Sequence, residues 1–388
     1  MRRVILFEPE HTGHHLEFLR HVLSAVADDQ TRTEYLVVAN GAVTDQLRSE
    51  YPGVKILGVD LDFARISEMT PRAKGRLIID TLRDAAREFR PDLTVVFHLN
   101  SVMLPIATRY SRCLDGQISG IYFAPYVRID AAQLGVRARV TKLRKRLALG
   151  LMVRNPQVGS VFVLNDEYAA ERMNRDLGTS AFRSLGDPVR EPAVPIGRRE
   201  PVLSGDAPVR FLLCGTLSER KGVPQLVAAV RSLLAIGLGD QFSLAFVGAP
   251  SSAMRISIRD LIADVEQGGA TRLRADFGYV SDSELDRSIQ EADIVLLPYQ
   301  RAEASSGILG RAALYETPVL GPDSGLIGDL IQEYGLGSVC DTRSPVSLAS
   351  ALRAAVEEGV PLDRSGAARY VSERSPGRFA ASLLDLPS

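Results

Sequence analysis

Short apolar runs alternate with longer stretches of helical period along almost the whole chain, and this alternation restricts the fold more than any other feature. Residues 4–7, 35–39, 54–58, 93–97, 120–123 and 161–164 each read as a buried strand. Between the first two, residues 14–27 place Leu16, Leu19, Val22, Leu23 and Val26 on one helical face. Apolar strands separated by helices fit a mostly parallel sheet covered on both faces. The rhythm breaks over residues 185–209, where Pro188, Pro192, Pro195, Pro201 and Pro208 fall in a stretch of little periodicity. It restarts at 210–214, 242–247, 294–297 and 318–320. A chain of 388 residues is too long for one ordinary core. The reading is therefore α/β, with an N-terminal domain at 1–187, a proline-rich linker at 188–208 and a second domain at 209–371. The tail, 372–388, reads as partly helical and packing back toward the first domain. Ligands of such sheets lie beyond the carboxyl ends of strands, so the expected site is a cleft between the domains.

The bulk numbers exclude several classes. Hydrophobic residues make up 45% and charged residues 24%, an ordinary globular balance. A net charge of -1 offers no global attraction for nucleic acid. Cys113, Cys214 and Cys340 are scattered, with neither zinc spacing nor a disulfide framework, which suits a reducing cytoplasm. The apolar run after Met1 is too short for a signal peptide, and no span reaches transmembrane length. The expected location is cytoplasmic.

Two segments of the second domain carry chemistry. The first is Cys214-Gly215-Thr-Leu-Ser-Glu-Arg220-Lys221-Gly222-Val-Pro224. A strand ends, Gly215 allows a tight turn, and two cations precede a helix whose first turn suits Pro224. Arg220 and Lys221 beside a helix N-terminus suit a diphosphate; a solvated basic turn would look the same locally. The second segment is Glu303-Ala-Ser-Ser-Gly-Ile-Leu-Gly-Arg311, preceded by the apolar run at 292–299 and followed by Pro318-Val319. It reads as a strand, a loop with a carboxylate, and a helix opening on Ser306 and Gly307. That combination suits a polar, anionic ligand.

Taken in order, these segments resemble the GT-B glycosyltransferases, and among them the large retaining family 4, over nearly the whole chain. The resemblance implies two Rossmann-like domains facing a central cleft. It implies that Gly215, Arg220, Lys221 and Gly222 hold the donor diphosphate, and that backbone at Tyr279 and Val280 meets the nucleobase. Glu303 would accept hydrogen bonds from donor-sugar hydroxyls, and the amides of Ser306, Gly307 and Ile308 would face phosphate. The family places a second, ribose-binding glutamate eight residues after the first, and this chain has Arg311 there. Arginine has no acceptor. Three readings stay open: a solvated helix residue, a partner for Glu303 or a phosphate, or a nucleotide held atypically. Glu316 stands where the family has glycine.

The first domain carries weaker signals. Glu8-Pro-Glu-His11-Thr-Gly13-His14-His15 follows the first strand. The resemblance places Gly13 at the donor, and His14 and His15 are candidates for the acceptor. His98 ends a strand where the family often carries a histidine beside the anomeric carbon; a structural histidine is as good a reading. Tyr126 and Arg128 are further acceptor candidates. Asp60-Leu-Asp62 spells a metal signature of a different glycosyltransferase fold, but solvated turn carboxylates explain it better, and no metal or other cofactor is expected. Residues 137–153 combine a basic run with apolar ones. A solvated face, a patch for an anionic acceptor, or peripheral contact with the inner face of a membrane would each produce it.

The leading expectation is a retaining enzyme moving a sugar from a nucleotide-diphosphate sugar to a hydroxyl acceptor, in polysaccharide, glycolipid or secondary-metabolite glycosylation. The catalytic set would be His98, Glu303, Arg220 and Lys221. The alternatives are a nucleotide-sugar epimerase on the same fold, or a non-catalytic binding partner, for which Arg311 is the only support.

Overall fold

The computed structural model describes residues 1–10, 15–26, 33–62, 65–66, 68–129, 131–197, 207–268, 272–301 and 303–385. The expectations for Gly13 and His14 lie outside these residues, as does that for the His15 side chain. The chain divides into two compact units, Met1–Pro188 with Ser375–Ser388, and Val189–Arg374.

The first unit runs β1 (Arg2–Glu8), α1 (His15–Val26), β2 (Thr33–Asn40), α2 (Gly41–Glu50), β3 (Lys55–Val59), α3 (Pro71–Phe89), β4 (Leu93–Val96), α4 (Leu99–Ala107), β5 (Gln117–Ile121), α5 (Ala131–Met152), β6 (Val158–Leu164), α6 (Glu167–Leu177) and β7 (Phe182–Leu185). All its strand pairs are parallel, in the order β3-β2-β1-β4-β5-β6-β7. Successive side chains of β1 feed opposite faces. Val4 and Leu6 join Phe18, Leu19, Val22 and Leu23 of α1, while Ile5 and Phe7 join Ile78, Ile79 and Leu82 of α3. Each such burial contributes roughly 1.5–3 kcal/mol. The chain leaves β1 on one side and returns as β4 on the other, so strand order reverses between them.

The second unit runs β8 (Val209–Cys214), α7 (Val223–Ala235), β9 (Phe242–Gly248), α8 (Ser252–Gly268), β10 (Arg272–Phe277), α9 (Asp282–Glu291), β11 (Ile294–Leu296), α10 (Gly307–Leu314), β12 (Val319–Pro322), α11 (Gly325–Tyr334), β13 (Gly337–Cys340), α12 (Pro345–Glu358) and α13 (Arg364–Glu373). Its order is β10-β9-β8-β11-β12-β13, again parallel, and it reverses between β8 and β11. The final helix, α14 (Pro376–Leu384), belongs to the first unit. Its Phe379 ring lies 5.4 Å from that of Phe18, and Arg2 donates to the Leu384 carbonyl at 2.9 Å.

Three strands were not visible in the sequence pattern: β7, β10 and β13. All three lie at sheet edges. There one face or both stay partly wet, so no apolar run marks them. β10, Arg-Leu-Arg-Ala-Asp-Phe, alternates between exposed and half-buried along its length.

Candidate active site

In the second unit, the reversal between β8 and β11 brings the two chemistry-bearing segments together. Gly215, beyond β8, has φ 95°, and Gly248, ending β9, has φ 136°. A Cβ on Gly248 would lie 2.0 Å from the Gly215 carbonyl oxygen, so the two turns stack without side chains. Residues Glu219–Lys221 form a single 3-10 turn, and Gly222, at φ 74°, starts α7. A Cβ there would lie 1.8 Å from the Pro298 carbonyl oxygen. The backbone beyond β11 therefore rests directly on this turn, and Gln300 N donates to the Arg220 carbonyl at 2.9 Å.

That packing sets the side chains. Arg220 is exposed. Lys221 is buried, its Nζ donating to the Tyr299 hydroxyl at 2.5 Å and lying 4.3 Å from the ring centroid. The same hydroxyl shares a hydrogen bond of 3.0 Å with Ser306 Oγ. Ser306 precedes α10 but makes no side-chain cap bond to it. Gly307 is exposed, and a Cβ added there would meet nothing within 4 Å. The helix thus opens without a side-chain cap from Ser306, an arrangement that favours an anion. Glu303 is half-buried in the loop between β11 and α10, and among the described residues no ion pair or hydrogen bond engages its carboxylate. Tyr279, on the loop between β10 and α9, is 94% exposed, while Val280 beside it packs against the core. Burial pushes the Cys214 thiol up to about 12, which leaves it an inert wall of the site.

Arg311 is the main correction. It is neither solvated nor turned toward Glu303. It is buried, with NH1 on Asp286 and NH2 on Asp282 at 2.5 Å, both from α9. Asp286 is fully buried and also accepts from the Tyr315 hydroxyl and from Ala193 N, each at 2.9 Å. Asp282 also binds Arg190. Partial burial opposes ionisation of Asp282, but the hydrogen bonds from Arg190 and Arg311 hold its carboxyl below the usual range. Sequence reasoning missed Asp282, Asp286 and Tyr299. The signal for the first two was their spacing of four, which puts them on one face of α9. Tyr299 carried no signal beyond following a buried strand.

In the first unit, His98 lies at the reversal point, just beyond β4. Its Nδ1 is 3.4 Å from Glu10 Oε1, and its ring stands edge-on to Phe123 with centroids 5.4 Å apart. Asn100 fixes Phe123 by bonds to its backbone N and O of 2.8 and 2.9 Å. Tyr126 and Arg128 are not presented to a ligand. Tyr126 is 1% exposed, with its hydroxyl on Asp176 at 3.3 Å, and burial pushes its phenol up to about 12. Arg128 makes two bonds, of 2.9 and 2.8 Å, to the buried Asp166 carboxylate and stacks over Tyr168. Both are framework, because the turn that carries them packs into the core. Asp60 and Asp62 are exposed, and among the described residues no cluster of three or more His, Cys, Asp or Glu could hold a metal ion.

Two Rossmann-like units, each a parallel sheet whose strand order reverses, give the chain the GT-B fold. Residues 198–371 match the family described as glycosyl transferases group 1. The whole chain is similar in structure to sucrose-phosphate synthase from Thermosynechococcus elongatus, with a TM-score of 0.64 and 16% identity, covering 100% of this chain and 95% of that one. It is also similar to HepE from Anabaena in complex with UDP, with a TM-score of 0.65 and 14% identity, covering 99% of each. A putative UDP-N-acetylglucosamine 2-epimerase from Listeria monocytogenes matches with a TM-score of 0.59 and 14% identity, covering 98% of this chain and 94% of that one. Such identities show the fold alone. No curated protein matches the sequence. Among the described residues, no helix is long and apolar enough to cross a membrane.

Proposed function

We propose that this chain transfers a sugar, with retention of configuration, from a nucleotide-diphosphate donor to a hydroxyl acceptor. The observation that carries this reading is the buried Lys221–Tyr299–Ser306 chain. It ties the basic turn after β8 to the bare start of α10, giving two anion-binding elements at one reversal point. Lys221, Arg220 and the first amides of α10 stabilise charge developing on the departing diphosphate. Glu303 accepts hydrogen bonds from sugar hydroxyls, and the loop at Tyr279 and Val280 meets the base. The leaving phosphate assists attack on the same face of the sugar, so no protein nucleophile is required. His98, held by Glu10 and Phe123 where the first unit's strand order reverses, is that unit's catalytic candidate. HepE, a structural neighbour, is described in complexes with UDP and UDP-glucose, which supports a nucleotide sugar as the donor class.

The test is donor turnover by Lys221→Ala and Glu303→Ala variants, preceded by a thermal-shift panel of nucleotide diphosphates to find the base. Each variant should lose on the order of 10²-fold or more in kcat; near-normal turnover in both refutes the assignment. The epimerase-like neighbour supports one second reading, nucleotide-sugar epimerisation, which would yield an epimerised donor with no acceptor present. The non-catalytic reading rests on the missing acceptor at Arg311, and measurable affinity for a nucleotide diphosphate in calorimetry refutes it.

A further inference from the structure

Helix α5 turns an apolar face to solvent. Gly135, at φ 78° and ψ −166°, breaks its first turn, and the helix runs on from Val136 to Met152. Val136, Val140, Leu143, Leu147 and Leu151 are 74%, 49%, 55%, 60% and 54% exposed. Their spacings of 4, 3, 4 and 4 keep them within roughly 80° of arc, along a ridge about 22 Å long. The opposite face is anchored, with Leu149 and Met152 fully buried. Lys142 and Lys145 donate to the Ile129 and Ala124 carbonyls at 3.2 and 3.0 Å. Arg137 and Arg144 flank the ridge on one side, Arg139 and Arg146 on the other, and all four are exposed. Residues 131–154 contain seven Arg or Lys and no Asp or Glu.

Charge decides what covers such a ridge. A second copy would press one acid-free basic flank against another. A straight apolar ridge with cations on both sides fits a plane that is apolar within and anionic at its surface. We infer that α5 docks this chain on an anionic lipid bilayer, lying in the interface with Val136, Val140, Leu143, Leu147 and Leu151 inserted and the arginines at headgroup level. This inference does not depend on the reaction assigned above.

The experiment is co-sedimentation of the full chain with vesicles of phosphatidylcholine alone, and of phosphatidylcholine with about 30 mol % phosphatidylglycerol. Binding to the anionic vesicles should be at least about tenfold stronger and should weaken as salt rises. Leu143→Ser with Leu147→Ser should cut it by about tenfold with the charges intact, and Arg139→Glu with Arg144→Glu should abolish it. These side chains are exposed, so an unchanged melting temperature shows that the variants are folded. Three results would overturn the inference: no preference for anionic vesicles, undiminished binding by the leucine variant, or a dimer in solution that the leucine variant dissolves.

Discussion

Replacing Arg311 by methionine tests whether the residue at the family's ribose position has become part of the framework. Methionine keeps most of the side chain's apolar length, so lost packing should cost less than about 1.5 kcal/mol. The loss falls on Asp286. This carboxylate is fully buried and would keep two donors, the Tyr315 hydroxyl and Ala193 N, but lose its cation. Removing one partner of a buried pair costs about 3–5 kcal/mol. Asp282 keeps Arg190 and stays partly exposed, so it adds little. We expect the second unit to lose about 3–5 kcal/mol at pH 7. The chain has no tryptophan, so urea unfolding followed by far-UV circular dichroism at pH 7 is the assay. A loss below about 1 kcal/mol refutes the pairing argument. Unchanged stability with lost nucleotide affinity would show instead that the guanidinium serves a ligand.

Other consequences follow from single contacts. Tyr299→Phe keeps the ring over Lys221 but removes the hydroxyl that links it to Ser306; calorimetry should show nucleotide-diphosphate affinity falling about tenfold, the worth of one charged hydrogen bond. Gly222→Ala places a methyl 1.8 Å from the Pro298 carbonyl at φ 74°, and should lower stability by about 3 kcal/mol or more in thermal unfolding. Glu316 holds φ 50° at the end of α10, where the family has glycine. Glu316→Gly should stabilise by about 0.5–1 kcal/mol, because relief of left-handed strain outweighs glycine's unfolded entropy and the exposed pair with Arg364 is worth little. Cys214, pushed up to about 12 by burial, should resist maleimide labelling between pH 7 and 9 in the native state and react once unfolded.

The central strands were legible because they are buried on both faces and spell continuous apolar runs; the edge strands β7, β10 and β13 were not, because half of each faces water. The glycine-led turn after β8 was legible for a backbone reason. Gly215 holds a positive φ of 95°, and Gly222 stands where a side chain would strike the Pro298 carbonyl, so that constraint is written in single residues. The role of Arg311 was not legible, because it depends on which way its helix is turned. An arginine on α10 could face a ligand or α9, and the partners that decide, Asp282 and Asp286, lie more than 20 residues away in sequence. Tyr126 and Arg128 misled for the same reason. Ligand contacts are common at strand ends, but their turn packs inward onto Asp176 and Asp166.

Helix α5 states the limit of periodicity most sharply. Apolar residues at intervals of three and four ordinarily mark the face a helix buries. Val136, Val140, Leu143, Leu147 and Leu151 meet that pattern, and they are the face left in solvent. A sequence pattern reports that a helix has an apolar stripe but not what the stripe meets. The neighbours settle that: Leu149 and Met152 hold the buried side, so the stripe has no protein left to cover it. Exposing five aliphatic side chains in one ridge opposes solubility. The surrounding arginines offset that in water, and the same arginines favour an anionic surface on contact. One arrangement thus satisfies both states, whereas a solvated face alone would need the charges and not the leucines. Serine at 143 and 147 separates the two explanations, because it leaves the solvated face intact and removes only the part that needs a bilayer.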